Sequence, residues 1–255
     1  MAFHPPSGVR RRGAPVSPIF LGLVGVAVAG GALTLVTSRI TVTAGIVVLV
    51  LAGWAVSLCL HEFGHAVVAD RGGDHSVRAK GYLTLDIRRY SDAGLTLVLP
   101  LLFLLVGGVP LPGAAVWIDR GALRSRAAAS LVSLAGPVVN LVLAVLLSLV
   151  APLVPLALGA GLSFLALVQV LAFALNILPI PGLDGFGVID PFLPRSTRAA
   201  AARVARYAPL VLVAVIFLLP SVGGALFSAA SAVFEAAGGS SRLADLGYAL
   251  FFFWR

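Results

Sequence analysis

Two histidines and a glutamate lie close together in one apolar stretch of the chain, in the order His61-Glu62-Phe63-Gly64-His65. On a helix, residues four positions apart lie on one face about one turn from each other, so both imidazoles can reach the same metal ion. Glu62, beside the first imidazole, can hold a water molecule at that ion. Residues of these types at this spacing predict metal-assisted hydrolysis.

A catalytic zinc site has three protein ligands and an open fourth position, so a third ligand must come from another part of the chain. The candidate segment runs from Asn176 to Gly185 and contains Pro179, Pro181 and Asp184. The two prolines stop a helix, and broken backbone at membrane depth is tolerated around a polar or water-filled site. Asp184 is therefore a candidate ligand, although proline and glycine at a helix end are also typical of an ordinary loop.

A structural alternative is that His61, Glu62 and His65 only form polar contacts between helices. Ionisable side chains are expensive to place in a membrane, and the whole chain contains only two glutamates. We therefore favour metal chemistry over packing for this cluster.

The composition indicates which kind of protein has to position these residues. Of 255 residues, 60% are hydrophobic and 11% are charged, whereas a soluble domain carries roughly 25% charged residues. This excludes a soluble globular protein, and the high hydrophobicity excludes a disordered one. The net charge of +8 comes from arginines between apolar runs, where the positive-inside bias operates, so we expect no nucleic-acid partner.

The pattern of apolar runs predicts an all-α polytopic membrane protein with about six transmembrane helices and a small membrane-associated β element. The predicted spans are residues 19–36, 42–69, 127–150 and 153–178, followed by the shorter runs 207–219 and 222–234, which form two spans or a kinked hairpin. The third and fourth spans are separated by a proline-bounded turn and should form an antiparallel pair.

Two segments depart from this helical pattern. Residues 82–90 (YLTLDIRRY) alternate apolar and polar side chains, which predicts the β-strand. Residues 95–106 are apolar but too short to span, and we interpret them as re-entrant or interfacial.

The distribution of basic residues predicts the topology. The N-terminal tail and the loops at 70–126 and 182–206 fall on one side, which the positive-inside rule makes cytoplasmic. We expect residues 1–18 to form a cytoplasmic tail and residues 19–255 to form a single membrane domain, with a catalytic core at about 42–195. The ligand candidates then lie towards the cytoplasmic side.

Three motifs, in this order, resemble the prokaryotic branch of the site-2 protease family of intramembrane metalloproteases. They are His61-Glu62-x-x-His65, Ala135-Gly136-Pro137-x-x-Asn140 and Asn176-x-x-Pro179-x-Pro181-x-Leu183-Asp184-Gly185. The resemblance covers about residues 42–195. The chain has no insertion of the size of the PDZ or nucleotide-sensing CBS domains that many members carry.

The resemblance implies that His61, His65 and Asp184 bind Zn²⁺ and that Glu62 is the general base. It also implies that Asn176 holds the substrate backbone or its developing oxyanion. The protein would be a multi-pass protein of the plasma membrane, in contact with lipid. It would cut single-pass membrane proteins, such as anti-sigma factors or signal-peptide remnants, near the cytoplasmic face.

Some alternatives stay open at this point. Asn140 fits either helix packing or support of the site. A metal transporter would use the same ligands but would need further acidic or histidine residues along the pathway on the far side, where almost none are present. A catalytically inactive scaffold would keep the fold without the chemistry. As a further hypothesis, the strand at 82–90 offers an edge to which an unwound substrate segment could add.

Overall fold

The computed structural model describes residues 16–90, 104 and 116–254 of the chain. These residues are mostly helical. The helices are α1 (Pro18–Leu33), α2 (Arg39–Gly72), α3 (Ser76–Ala79), α4 (Arg126–Val150), α5 (Leu156–Asn176), α6 (Asp184–Ile189), α7 (Arg195–Val204), α8 (Ala208–Leu218), α9 (Pro220–Ala236) and α10 (Ser241–Phe251).

Three of the described helices, α2, α4 and α5, are long and apolar enough to cross a membrane. A fourth candidate span arises if α7 and α8, which bend by 64° at their junction, are counted together. Helix α1 is apolar but has only 16 residues. These helices are those of a membrane protein, whereas the predicted number of six spans is not confirmed.

The centre of the bundle is formed by α2, α4 and α5, which pack against one another. Helix α2 has 34 residues and is about 51 Å long at 1.5 Å per residue, longer than the roughly 30 Å hydrocarbon core of a bilayer. Helices α4 and α5 are joined by the short 3₁₀ turn Ala151–Leu153 and pack along each other, as the predicted antiparallel pair requires. Helices α1 and α10 cover α2 and α5 from outside.

The predicted β element is wrong, because residues 82–90 form two 3₁₀ turns, Tyr82–Thr84 and Ile87–Arg89. Between them Leu85 has a φ of 56°, a left-handed conformation that interrupts an extended strand. The Asp86 side chain accepts the backbone N–H of Arg88 at 3.1 Å and so caps the second turn.

The apolar residues of this segment are still buried. Tyr82, Leu85, Ile87 and Tyr90 pack against α2 and α4 near Cys59 and Val132. The alternation in the sequence therefore marks a loop whose apolar side chains face the helices. The part of the chain that is described contains no strand. The hypothesis of a peptide-binding edge at 82–90 falls with it.

Two other predictions lie largely outside the described residues. These are the re-entrant segment at 95–106, of which only Leu104 is described, and the tail at 1–18, of which only residues 16–18 are described.

Candidate metal centre

The structure brings His61, His65 and Asp184 together at one point between α2 and α6. The Nε2 atoms of the two histidines lie 3.1 Å apart. The Oδ2 atom of Asp184 is 3.1 Å from Nε2 of His61 and 3.4 Å from Nε2 of His65. Both imidazole side chains are 7% exposed, and the Asp184 side chain is 24% exposed.

These three atoms have the spacing that a tetrahedral ion requires. With bonds of about 2.0–2.2 Å to nitrogen and oxygen, the ligand atoms of a tetrahedral zinc ion lie about 3.3–3.6 Å from one another. The observed separations of 3.1, 3.1 and 3.4 Å lie within about 0.2 Å of that range, a small adjustment for side chains. Two imidazoles and one carboxylate are also a donor set that zinc prefers. The residues therefore fit a zinc ion with an open fourth position.

The third side chain reaches the site because the chain reverses sharply after α5. The prolines end the helix at Asn176, and Gly182 turns the backbone with a φ of 93°. Helix α6 then begins at Asp184, whose neighbour Gly185 lies so close to the Ile177 carbonyl that a Cβ atom would overlap it. Glycine at 185 therefore lets the segment that carries the carboxylate pack against the end of α5.

Each imidazole is oriented by a second contact at its other nitrogen. Nδ1 of His65 donates to the backbone carbonyl of Val132 at 2.6 Å. Nδ1 of His61 lies 3.3 Å from Oδ1 of Asn140 and can donate to it. With the proton on Nδ1, both Nε2 atoms carry the lone pair that faces Asp184 and a metal. Both partners belong to α4, so this helix orients the two candidate ligands without supplying one. The contact of Asn140 with His61 is the contact that support of the site would require.

Glycine in α4 makes the close contact with the imidazoles possible. A Cβ atom at Gly136 would lie 2.5 Å from Nε2 of His61 and would overlap Nε2 of His65. The space beside the two nitrogens therefore admits only the hydrogen atom of a glycine, and any larger side chain would displace the imidazole rings.

His61, His65 and Asp184 together form the metal-type cluster. Glu62 lies beside this cluster and is 2% exposed. Its Oε2 atom accepts the backbone N–H of Val116 at 3.0 Å. The segment that contains Val116 is further held by Lys80, whose Nζ donates to the Trp117 carbonyl at 2.8 Å. One oxygen of Glu62 thus holds this segment over the site, and the other makes no hydrogen bond within the described residues.

A cavity of about 780 Å³ opens beside these residues. Glu62 and the three ligand candidates line it, as do Trp117 of the covering segment and Asn176 at the end of α5. Asn176 is 7% exposed, and its side chain makes no hydrogen bond within the described residues. All five residues singled out in the sequence for metal binding or catalysis therefore meet at one cavity.

The cavity also has a polar lining residue that the sequence analysis missed, Gln169 of α5. Gln169 is 1% exposed, and its Nε2 atom has no hydrogen-bond partner in the described part of the chain. The signal available in the sequence was a carboxamide in the middle of an otherwise apolar span, seven residues before Asn176.

Behind Asp184, α6 is held in place by a buried carboxylate at its far end. Asp190 pairs with Arg120 of the loop before α4 at 2.5 Å and with Arg198 of α7 at 3.3 Å. Asp190 is 7% exposed, whereas the side chains of Arg120 and Arg198 are 48% and 43% exposed. The two ion pairs therefore connect the end of α6 to the loop before α4 and to α7. By contrast, His75 lies in the loop after α2, pairs with Asp70 of α2 and has a 64% exposed side chain.

A His-Glu-x-x-His helix and an aspartate from a second segment, set in a bundle of apolar helices, are typical of a membrane-embedded metallopeptidase. Comparison with known proteins agrees with this class. The sequence profile of peptidase family M50 matches residues 44–160 of the chain.

Curated relatives cover most of the chain. Rip2 of Mycobacterium tuberculosis is 48% identical over 245 residues, which are 93% of this chain and 94% of that protein. Rip2 of Mycolicibacterium smegmatis is 42% identical over 245 residues with the same coverage. YwhC of Bacillus subtilis is 32% identical over 181 residues, which are 65% of this chain and 78% of that protein. All three are named as proposed zinc metalloproteases.

The chain therefore belongs to peptidase family M50, and the resemblance to the site-2 proteases is confirmed. No solved structure gave a significant match to the chain.

Proposed function

We propose that the protein is an intramembrane zinc endopeptidase that hydrolyses peptide bonds in the transmembrane segments of other membrane proteins. The observation that carries the proposal is the convergence of two imidazole nitrogens and one carboxylate oxygen at tetrahedral spacing, beside a buried glutamate. Family membership and the names of the relatives support the same activity and the same metal.

In this proposal His61, His65 and Asp184 hold the zinc ion. Bound there, zinc supplies a Lewis acid that activates water at neutral pH and polarises the scissile carbonyl. The Nδ1 contacts to Val132 and Asn140 keep the two imidazoles oriented, so little rearrangement is needed when the ion binds.

Glu62 acts as the general base and then as the general acid. Its carboxylate takes a proton from the attacking water and passes it to the leaving amine, so that one water is added across the peptide bond. Burial of Glu62 between α2 and the segment at Val116 keeps bulk water away from that proton transfer. The carboxamide of Asn176 donates to the substrate backbone or to the oxygen that gains charge.

We further propose a location and a substrate class. The ligand candidates lie beyond the middle of α2 and after the end of α5, next to loops rich in arginine, which supports a site near the cytoplasmic face of the plasma membrane. The substrates would then be single-pass membrane proteins, with anti-sigma factors and signal-peptide remnants as candidates. Helix α1 and the apolar helices α8 and α9 would complete about six spans of a single domain at 19–255, with 1–18 as a cytoplasmic tail and a core at 42–195.

The test is Glu62→Gln in detergent-purified protein, with a fluorophore-labelled single-span peptide as the probe. Zinc is measured by elemental analysis and cleavage by mass spectrometry of the products. We expect near-stoichiometric zinc in wild type and in Glu62→Gln, cleavage by wild type, and loss of cleavage in the variant by at least about 100-fold. The matched control is Glu235→Gln, because Glu235 is the other glutamate of the chain and pairs with Ser241 at the surface.

Metal variants complete the experiment. Asp184→Ala should lose most of the zinc, whereas His75→Ala, at the exposed loop histidine, should retain it. Full cleavage by Glu62→Gln would refute the role of Glu62. Zinc content unchanged in Asp184→Ala would refute the ligand set.

A further inference from the structure

One buried side chain of the site cavity is left without a partner. Gln169 makes no hydrogen bond within the described residues, although it is 1% exposed and lies in a helix with apolar neighbours. A buried carboxamide without a partner destabilises the fold, so most such groups are satisfied. The cavity that Gln169 lines is the one that contains Glu62 and the metal-type cluster.

The position of Gln169 on α5 relates it to Asn176. Seven residues correspond to two turns of a helix, so both carboxamides lie on nearly the same face, about 10.5 Å apart along the axis. Ala172, on the same face between them, also lines the cavity. Because alanine is small, its side chain does not separate the part of the cavity at Gln169 from the part at Asn176.

In the topology proposed above, Gln169 lies on the membrane-interior side of Asn176. Helix α5 ends at Asn176, where the chain turns towards the arginine-rich side, and Gln169 is further back in the span. An extended peptide rises about 3.3 Å per residue, so the distance between the two carboxamides corresponds to about three residues of extended chain.

We propose, on the basis of the function above, that the Gln169 carboxamide binds the substrate backbone about three residues from the scissile bond, on the membrane-interior side. It donates a hydrogen bond to a peptide carbonyl that an unwound substrate helix no longer satisfies. In lipid such a carbonyl has no water to replace its lost partner, so a donor inside the cavity stabilises the unwound state. Gln169 is therefore a substrate-binding residue, distinct from the zinc ligands and from Glu62.

The test is Gln169→Met, which removes the carboxamide and keeps the length of the side chain. The thermal midpoint in detergent should stay the same or rise, because a buried unpaired polar group is removed. Zinc content should not change. Cleavage of the labelled single-span peptide should fall roughly two- to tenfold in kcat/KM, the range for loss of one neutral hydrogen bond.

A matched control separates this outcome from a general effect on folding. Ser148 of α4 is also buried, and its hydroxyl has no partner in the described residues, but it does not line the cavity. Ser148→Ala should likewise keep or raise the thermal midpoint and should leave cleavage unchanged. A fall in the thermal midpoint of Gln169→Met would indicate a structural role and would overturn the proposal.

Binding is measured apart from catalysis in a Glu62→Gln background. We expect Gln169→Met to weaken binding of the labelled peptide, as measured by fluorescence anisotropy, by the same factor as it lowers kcat/KM. A scan of the peptide in which single amide links become esters should locate the partner carbonyl. The ester that weakens binding to the Gln169 protein but not to Gln169→Met identifies it.

Failure of this inference can be told from failure of the proposed function. If wild type cleaves the peptide and Gln169→Met cleaves and binds it equally well, the inference is wrong and the peptidase function is retained. If wild type with full zinc does not cleave the labelled single-span peptide, the proposed function is wrong, and the inference that rests on it is wrong too.

Discussion

Replacing Gly136 by alanine tests the metal centre through a residue that is not itself a ligand. The added Cβ atom would lie 2.5 Å from Nε2 and 2.6 Å from Cε1 of His61. Carbon atoms in contact are normally about 3.5–4.0 Å apart, so the ring would have to move by roughly 1 Å. Metal–ligand distances are confined to about ±0.2 Å, so a shift of that size removes a ligand from the ion.

The expected result is a large loss of zinc affinity in a folded protein. Loss of a hydrogen-bond partner behind a ligand typically costs 10–100-fold in affinity, so displacement of the ligand itself should cost at least about 100-fold. Affinity is measured by competition with a chromophoric chelator, and the helical fold by circular dichroism and size-exclusion chromatography in detergent.

The control is Gly224→Ala in α9, where an added Cβ atom meets nothing within 4 Å. Alanine in a helix interior is favoured over glycine by about 0.5–1 kcal/mol, so this variant should keep its zinc and be slightly more stable. Wild-type zinc affinity in a folded Gly136→Ala protein would refute the placement of the two imidazoles against α4.

Two further predictions concern Asn140, beside His61, and Asp86, in the loop at 82–90. Asn140→Ala removes the acceptor beside Nδ1 of His61 and should weaken zinc binding about 10–100-fold. Asn140→Asp keeps an acceptor at this position and should lose less zinc affinity. Competition with a chelator, carried out for all variants at one pH, measures both affinities. Hydrogen bonding from Arg88 lowers the pKa of the Asp86 carboxyl, so the ion pair stabilises the loop above pH 4 or so and is lost as the pH falls through the lowered pKa. Because the Arg88 side chain is 65% exposed, Asp86→Asn should cost at most about 1 kcal/mol at pH 7. Thermal melts of Asp86→Asn should also show a smaller loss of stability on acidification than wild type, and equal losses would contradict the assignment.

The two histidines of the metal-type cluster could be predicted because their spacing on one helix determines their relative position. His61 and His65 meet on one face whenever the segment is helical, and the only long-range prediction needed was that the broken segment at Asp184 returns to them. Proline and glycine around Asp184 indicated such a break. The sequence could not indicate which groups orient the imidazoles, because a backbone carbonyl such as that of Val132 has no signature in side-chain types.

The strand at 82–90 was predicted wrongly because alternation in sequence reports burial of every second residue and not the backbone conformation that achieves it. Here Leu85 in the left-handed region and the Asp86 cap fold the segment into turns, while Ile87 and Tyr90 still reach the apolar surface of α2 and α4. Short segments with local side-chain to backbone hydrogen bonds favour turns over ladders, and Asp86 is a residue type that forms them.

Hydrolysis inside a bundle of apolar helices requires polar access to the reacting bond, and one of the three candidate ligands is more exposed than the other two. The imidazoles are 7% exposed and packed against α4, whereas the Asp184 side chain is 24% exposed. A second cavity, of about 440 Å³, adjoins Asp184 and is lined by the ion-paired Arg120, Asp190 and Arg198. Asp184 thus belongs to the element that faces charged groups, and His61 and His65 belong to the element that faces apolar helices. Orientation of the imidazoles by α4 and contact of α6 with charged groups are therefore properties of different parts of the fold, and the two parts meet at one site.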